Sequence, residues 1–414
     1  MTQTPVPRSA QWAAWRALTV CVAAAATIAG DVAAMGRQPT VKGIVTRTLR
    51  SSEAMLVQSL ISIRENRLHD ALMQVDAVLQ IAPNFRLAQL IKGDLLLARA
   101  RPLSTLGDVA RAPSARLSDL RAEALTRLQR YHMDPPRDAV PSYLVQLLPQ
   151  QKYALVADTA KSTLYVLEND NGHLRYATDF YVTVGRNGID KLREGDKKTP
   201  LGVYHVTAQL PQKKLTDFYG AGAYPIDYQN EWDQREGRRG HGIWLHGTPR
   251  DTYSRPPRAS DGCLVLANDD LAALGQLVQP GLTPVVIANG VDWVPAAQTA
   301  ALRGALSQQL ERWRQDWENR DLDRYLAHYA ANFFDGRANL RRWSRQKQAA
   351  FVGKAAVKVQ VTDVAIYLYP GRGDLAVVDF TQSYSAGRVA NETRKRQYWL
   401  QENGAWKIAY EGAA

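Results

Sequence analysis

Apolar residues in the first third of the chain recur every three or four positions, the spacing that places them on one face of a helix. The pattern runs in two stretches that are separated by Pro83 and Asn84, which predict a turn. We therefore expect two helices that share one apolar face. The positions that form this face are Leu68, Leu72, Val75, Leu79, Leu87, Leu90, Ile91 and Leu95.

The predicted order is a helix, a Pro-Asn turn and a second helix, with small residues where the two helices would pack. This order is similar to that of a single tetratricopeptide unit. One such unit must pack on something else, so we predict a helical domain over residues 35–148. We expect its apolar residues to form a core, and a surface for a partner or a homodimer is the alternative. Asp134, Pro135, Pro136 and Pro141 predict a linker at its end.

From Tyr153 onward the apolar period changes from the helical spacing to two, which indicates strands. Asn171-Gly172 predicts a hairpin turn, and frequent strands with few helices favour a mostly β domain over residues 150–289. Residues 211–239 are polar and aromatic and include Tyr219. They predict a lid or groove wall, with an ordinary surface loop as the alternative. The predicted strands cover residues 153–157, 164–167, 179–185, 202–206 and 284–287.

A third pattern begins after Pro295 with a helix whose apolar face holds Leu306, Leu310, Trp313 and Trp317. Strand-like runs follow it to the end of the chain, so we expect an α+β domain over residues 296–414. Its aromatic residues fit a packed core better than a ligand cage. The predicted strands cover residues 356–369, 374–384, 391–401 and 405–410.

The N-terminus carries Arg8 and Arg16 before an apolar run over residues 17–29, followed by small residues. The run is shorter than the roughly 20 residues of a membrane-spanning helix and is typical of a signal peptide. We predict a signal peptide over residues 1–34, cleaved near Ala34, and hence a periplasmic protein. An uncleaved inner-membrane anchor is the alternative.

The composition gives 414 residues, several domains by length, and a formal net charge of +12. Such a charge suits an anionic partner such as nucleic acid, anionic lipid or an acidic wall polymer. No zinc-knuckle spacing or aromatic RNA-binding motif is visible. We therefore predict no nucleic-acid partner.

Cysteine usage points to the candidate chemistry, because the chain has only two cysteines. Cys21 would leave with the signal peptide, so Cys263 would be the one thiol of the exported protein. Taken alone, Cys263 is either a buried residue without a chemical role or a nucleophile. His246 ends one predicted strand and Cys263 begins another, so the imidazole can take the thiol proton.

This stretch resembles the signature of the L,D-transpeptidase catalytic domain, the YkuD-like fold. That signature is His-Gly, a spacer, and then Ser/Thr-His-Gly-Cys. A Thr-Pro-x-Gly turn upstream, at residues 198–204, is also similar. Asp261 departs from the signature, since most members carry His there. The matching residues are His246, Gly247, Ser260, Gly262 and Cys263.

The resemblance implies that Cys263 is the nucleophile, that His246 is its base and then the acid, and that the Gly247 carbonyl orients the imidazole. The Gly262 and Cys263 N–H groups are the candidate oxyanion donors. We expect neither a cofactor nor a metal. A zinc site of His241, His246, Asp261 and Cys263 is disfavoured, because residues five apart on one strand face opposite ways. The candidate substrate-binding residues are Ser260, Asp261, Arg250, Arg258 and Tyr219. Arg250, Arg255 and Arg258 lie in the loop before Cys263 and are candidates for holding substrate carboxylates, with a solvated loop as the alternative.

The C-terminal pattern resembles the NTF2-like fold of the SnoaL type. The order of all three domains is similar to that of the peptidoglycan L,D-carboxypeptidases that shape curved and helical bacteria. The implied partner is a peptidoglycan stem peptide. Three functions stay open: acyl transfer to an amine, trimming of tetrapeptides with water as the acceptor, and wall binding without catalysis.

Overall fold

The computed structural model describes residues 41–108, 113–131, 135–136, 138–352 and 356–414, with backbone only for residues 41–51. The predicted signal peptide or anchor at residues 1–34 lies outside the described residues. Within the described part of the chain, no helix combines the length and the apolar character that crossing a membrane requires.

The N-terminal segment is helical, as the apolar period predicts. The turn at Pro83 and Asn84 separates the second helix from the third, and Val75 and Ile91 lie in one buried core. The fourth helix adds Ala124 to this core. Whether the segment also forms a homodimer stays a prediction. The helices are α1 (Val41–Arg64), α2 (Leu68–Ile81), α3 (Arg86–Leu97) and α4 (Ser114–Tyr131).

The middle of the chain is mostly β and contains a five-stranded and a four-stranded sheet, with orders β5-β4-β3-β13-β7 and β12-β10-β9-β8. Its elements are β1 (Ala139–Pro141), β2 (Leu144–Gln146), β3 (Tyr153–Asp158), β4 (Thr163–Asp170), β5 (His173–Tyr181), β6 (Val184–Gly185), β7 (Gly202–His205), β8 (Leu210–Pro211), β9 (Gly222–Pro225), α5 (Glu231–Arg235), β10 (Trp244–His246), β11 (Arg258–Ser260), β12 (Leu264–Val265), α6 (Asn268–Gly275), β13 (Pro284–Ala288) and β14 (Trp293–Pro295).

Strands β3 and β13 are buried on both faces, which explains their nearly continuous apolar sequence. Leu155 and Val285 point into the core of the middle domain. Val156 and Val286 point the other way, into a second core that also includes Tyr367 of the C-terminal sheet. The five-stranded sheet therefore lies between two apolar layers.

The C-terminal segment is α+β, as predicted. The long helix α7 places Leu306, Leu310, Trp313 and Trp317 against the curved antiparallel sheet. The sheet has the order β18-β17-β16-β15-β2. The elements are α7 (Ala296–Glu318), α8 (Leu322–Ala327), α9 (Leu340–Phe351), β15 (Val357–Leu368), β16 (Leu375–Ala386), β17 (Val389–Glu402) and β18 (Ala405–Ala413).

The segment from residue 139 to 148 corrects our domain assignment, which placed it at the end of the helical domain. It contains two short strands instead. Ala139 of β1 pairs with Pro295 of β14, and Leu144 of β2 pairs with Tyr367 of β15. Partners this far along the chain leave no trace in the local sequence pattern, where only the prolines stand out.

Candidate active site

The pairing of strands β10 and β12 brings the predicted nucleophile and base to one face. The two strands are parallel, with His246 opposite Val265. Cys263 lies two residues before Val265, and alternate residues of an extended chain point to the same side. His246 and Cys263 are therefore diagonal neighbours at the edge of the four-stranded sheet.

The His246 imidazole is oriented by its own chain. Its Nδ1 lies 2.7 Å from the Gly247 carbonyl oxygen, the orienting group that we predict. A carbonyl oxygen only accepts hydrogen bonds, so Nδ1 carries the proton and Nε2 keeps a free lone pair. Burial lowers the pKa of His246 to about 4. The imidazole is consequently neutral at ordinary pH and able to accept a proton.

The Cys263 thiol is held beside the neighbouring strand. Its Sγ donates to the Gly242 carbonyl oxygen at 3.4 Å. Burial raises the pKa of the Cys263 thiol, and the Trp244 backbone N–H opposes this shift. The resting pair is therefore a thiol and a neutral imidazole. For this sulfur to act as the predicted nucleophile, its proton would have to pass to His246 during the attack.

Hydrogen bonds within the turn before Cys263 correct two assignments. Ser260 Oγ donates to the Cys263 carbonyl oxygen at 2.7 Å and accepts from the Gly262 N–H at 3.1 Å. Ser260 is also buried, so it shapes the turn rather than contacting a substrate. The Gly262 N–H is engaged and is not available to an oxyanion. The Cys263 N–H remains our candidate donor.

The upstream Thr-Pro-x-Gly turn holds the nucleophile loop in place. Thr199 Oγ1 donates to the Gly262 carbonyl oxygen at 3.0 Å and accepts from the Gly185 N–H at 2.8 Å. Gly262 has a φ of +125°, and a Cβ added there would lie 2.7 Å from the Lys198 carbonyl oxygen. Only glycine suits this position.

The aromatic loop predicted as a groove wall lines the site. The Tyr219 ring centroid lies 5.1 Å from that of His246, and the Tyr219 carbonyl oxygen accepts from the Gly247 N–H at 3.1 Å. Phe218, at 5.7 Å from the His246 ring, covers the imidazole from a second direction. These rings help to bury the base and so contribute to its low pKa.

The other predicted substrate residues are exposed. Asp261 pairs with Arg186 at 3.0 Å, and its charge adds to the rise in the pKa of the Cys263 thiol that burial causes. Arg250 is exposed and pairs with Asp217 at 3.6 Å. Arg258 is exposed on β11. The arginine next to the catalytic pair is Arg255, whose guanidinium lies 5.0 Å from the Phe218 ring centroid.

Asn268 is a positioning residue that sequence reasoning missed. Its Oδ1 accepts from the Ala221 N–H at 2.8 Å, and its Nδ2 donates to the Thr248 carbonyl oxygen at 2.8 Å. A Cβ on Gly247 would lie 2.1 Å from Asn268 Oδ1. Asn268 thereby fixes the chain on either side of the His246 orienter. The one available signal was an Asn at the start of a helix five residues after Cys263.

The zinc alternative has no geometric support among the described residues. His241 lies 3.4 Å from Glu194, while Asp261 pairs with Arg186. Over the part of the chain that the structure describes, no three His, Cys, Asp or Glu side chains converge as a metal site would need.

Two protein-family models match the chain. The L,D-transpeptidase catalytic domain, YkuD, matches residues 152–287. The Cds6 C-terminal NTF2-like domain matches residues 305–412. A search of the curated proteins finds no match.

Two solved structures share most of the fold. Bd1075 of Bdellovibrio bacteriovorus is 29% identical, with a TM-score of 0.59, over 67% of this chain and 98% of its own. The helical cell shape determining protein Pgp2 of Campylobacter jejuni is 23% identical, with a TM-score of 0.56, over 66% of this chain and 95% of its own. By these matches the chain contains an L,D-transpeptidase catalytic domain of the YkuD type at residues 152–287, followed by an NTF2-like domain at residues 305–412.

Proposed function

We propose that this protein remodels peptidoglycan by cleaving the diaminopimelate–D-alanine bond of stem peptides through a thioester on Cys263. One observation carries the proposal. A neutral imidazole, with its Nδ1 proton on the Gly247 carbonyl, stands diagonal to the thiol on the adjacent parallel strand. This arrangement provides a nucleophile, a base and an orienter for the base.

The chemistry proceeds in two half-reactions. As Sγ attacks the carbonyl carbon of the diaminopimelate L-centre, the thiol proton passes to His246 Nε2. The Cys263 N–H stabilises the oxyanion. Collapse of the tetrahedral intermediate breaks the C–N bond, and His246 returns the proton to the leaving D-alanine amine. An amine or water then attacks the thioester carbonyl and gives a proton to His246; as the C–S bond breaks, His246 passes this proton to the departing Cys263 sulfur.

The acceptor decides the product. A second stem peptide that supplies an amine gives a cross-link, which is L,D-transpeptidation. Water gives a tripeptide, which is L,D-carboxypeptidation, and the similarity to Pgp2, reported as a helical cell shape determining protein, favours this second candidate. Both candidates place the substrate in the cell wall. We therefore also propose export to the periplasm through residues 1–34.

Incubation of the protein with defined tetrapeptide muropeptides tests the proposal, with mass spectrometry of the products. A tripeptide identifies the carboxypeptidase, and a cross-linked dimer identifies the transpeptidase. Cys263→Ala and His246→Ala should each abolish both products while keeping the wild-type melting temperature, and the double variant should be no worse, because the pair acts as one unit. Near-wild-type turnover by Cys263→Ala would refute the nucleophile. Muropeptide binding without turnover by the wild type would favour the non-catalytic wall-binding alternative.

A further inference from the structure

Arg255 lies beside the catalytic pair, and among the described residues the carboxylates of Asp261 and Asp251 act on its charge only from beyond ion-pair distance. Its side chain is partly buried, and its guanidinium stacks 5.0 Å from the Phe218 ring, which in turn lies 5.7 Å from the His246 ring. Within the described residues, Arg255 makes no ion pair with a carboxylate. The nearby arginines differ, because Arg186 pairs with Asp261 and Arg250 with Asp217.

The backbone of Arg255 is fixed before any ligand arrives. Its carbonyl oxygen accepts from Tyr181 Oη at 2.9 Å and from Thr183 Oγ1 at 3.0 Å. Thr183 Oγ1 also reaches the Pro256 carbonyl oxygen at 2.9 Å, and the two prolines that follow Arg255 restrict the chain further. The position of the guanidinium next to the site is therefore built into the loop.

An unpaired, partly buried cation is unfavourable unless something compensates its charge. Burial lowers the pKa of Arg255; the charge of Arg255 adds to the burial that lowers the pKa of His246 and opposes the burial that raises the pKa of Cys263. Its charge thus reaches both reacting groups. A guanidinium binds a carboxylate through two parallel hydrogen bonds, which makes a carboxylate the natural ligand.

The side on which Arg255 lies identifies which carboxylate. Its guanidinium lies over the Phe218 ring, and this ring lies next to the His246 ring. In the proposed reaction His246 delivers a proton to the leaving amine, so this is the leaving-group side. The leaving D-alanine carries its carboxylate one carbon away from that amine. We propose, resting on the proposed function, that Arg255 binds the terminal carboxylate of the departing D-alanine and restricts the enzyme to stem peptides that end in a free carboxylate.

The test compares two substrates, a tetrapeptide that ends in D-alanine and the same peptide ending in D-alaninamide. The full chain is used as wild type, Arg255→Met, Arg255→Lys and Arg250→Met. The readouts are kcat/KM and the single-turnover rate at which Cys263 gains the acyl mass. Arg250 is the matched control, because it lies in the same loop but is exposed and faces Asp217.

The wild type should prefer the free acid by about 10- to 100-fold, the range for a hydrogen bond between charged groups. Arg255→Met should lose that preference by slowing only the acid substrate, Arg255→Lys should keep part of it, and Arg250→Met should match the wild type. If the wild type has the same kcat/KM for the acid and the amide substrate, the inference is overturned before any variant is measured. An equal loss on both substrates in Arg255→Met would also overturn it, because Arg255 would then act on the catalytic pair.

The same experiment separates this inference from the proposed function. Acylation of Cys263 by both substrates at one rate leaves the thioester mechanism intact and rejects the role of Arg255. If neither substrate acylates Cys263, both the thioester mechanism and the role of Arg255 are rejected. A thermal melt of each variant verifies that the loop substitutions leave the fold unchanged.

Discussion

The aromatic rings of Phe85 and Tyr253 lie with their centroids 4.6 Å apart, which joins the helical segment to the loop that precedes Cys263. Two hydrogen bonds next to this contact join the same two segments. Glu123 Oε1 accepts from Ser254 Oγ at 2.6 Å. Asn84 Nδ2 donates to the Arg250 carbonyl oxygen at 2.8 Å. The loop that carries Arg255 is thus held by the helical segment on one side and by the catalytic domain on the other.

Tyr253→Leu should lower kcat/KM for the tetrapeptide by up to about 10-fold while leaving the reactivity of the thiol nearly unchanged. The physical reason is that an aromatic pair contributes about 0.5–1.5 kcal/mol beyond its buried area, and here that energy fixes the loop. Steady-state turnover and the rate of Cys263 alkylation by iodoacetamide measure the two effects. Phe334→Leu, at an exposed ring of the C-terminal domain, is the control. Unchanged turnover would mean that the helical segment does not position the loop.

The acid limb of kcat/KM should fall near pH 4 instead of near the usual histidine pKa of about 6.5. Burial lowers the pKa of His246 to about 4, and only the neutral form accepts the thiol proton. Activity should accordingly persist down through pH 5 and disappear as His246 becomes protonated. A pH profile measured with the tetrapeptide checks this. A limb near pH 6.5 would indicate a solvated imidazole and contradict the buried site.

Arg127→Met should reduce the free energy of unfolding by about 3–5 kcal/mol at neutral pH, because it leaves a buried carboxylate uncompensated. Arg127 and Glu123 are each 2% exposed and lie 3.0 Å apart. Burial raises the pKa of Glu123, so the loss should shrink at lower pH, where this carboxyl becomes protonated and uncharged. Urea denaturation at pH 7.5 and pH 5 measures both values.

The control for this prediction is Arg67→Met, since the pairs of Arg67 with Glu65 and Asp70 are exposed and should matter little. Arg127→Met combined with Glu123→Leu should recover part of the loss, because the buried carboxylate is then removed and Glu53, the other partner of Arg127, keeps its pair with Arg130. A loss that is the same at both pH values would show that packing against Tyr181, 4.0 Å from the guanidinium, dominates instead.

The C-terminal domain should bind purified wall material, and Lys347→Met should weaken that binding. The interior of this domain holds charged side chains among its aromatic rings. Lys347 Nζ lies 4.3 Å from the Trp343 ring centroid and 4.5 Å from that of Trp317, and Lys395 pairs with Glu411 at 3.1 Å. Burial lowers the pKa of Lys347 to about 8, so binding of an anionic fragment should fall as the pH rises from 7 to 9.

Co-sedimentation of the full chain with sacculi measures this binding, at two pH values and two salt concentrations. Arg388→Met is the control, because Arg388 is an exposed basic residue in the turn between β16 and β17 of the same domain. Charge pairing at an exposed surface is screened within about 8 Å at physiological ionic strength, so it should weaken with salt. If binding does not change with salt concentration, with pH or in the Lys347→Met variant, the basic residues only solvate the surface.

Local sequence pattern determined most of the elements and singled out the candidate reacting pair. The helical period around Val75 and Ile91 and the alternation from Tyr153 arise from backbone geometry within a few residues, so they can be recognised without the fold. Cys263 and His246 could be predicted as well, because their chemistry and their spacing belong to one short stretch.

Only the tertiary structure decided which polar groups remain free for a substrate. Ser260 Oγ accepts a hydrogen bond from the Gly262 N–H, and the hydrogen bonds of Asn268 fix the chain around Gly247. Arg255, and not Arg250 or Arg258, reaches the site because its backbone is bound to Tyr181, 74 positions earlier in the chain. The strands at residues 139–146 likewise find their partners more than 150 residues away. Hydrogen-bond partners and strand register depend on which distant segments meet, and residue type and local period do not contain that information.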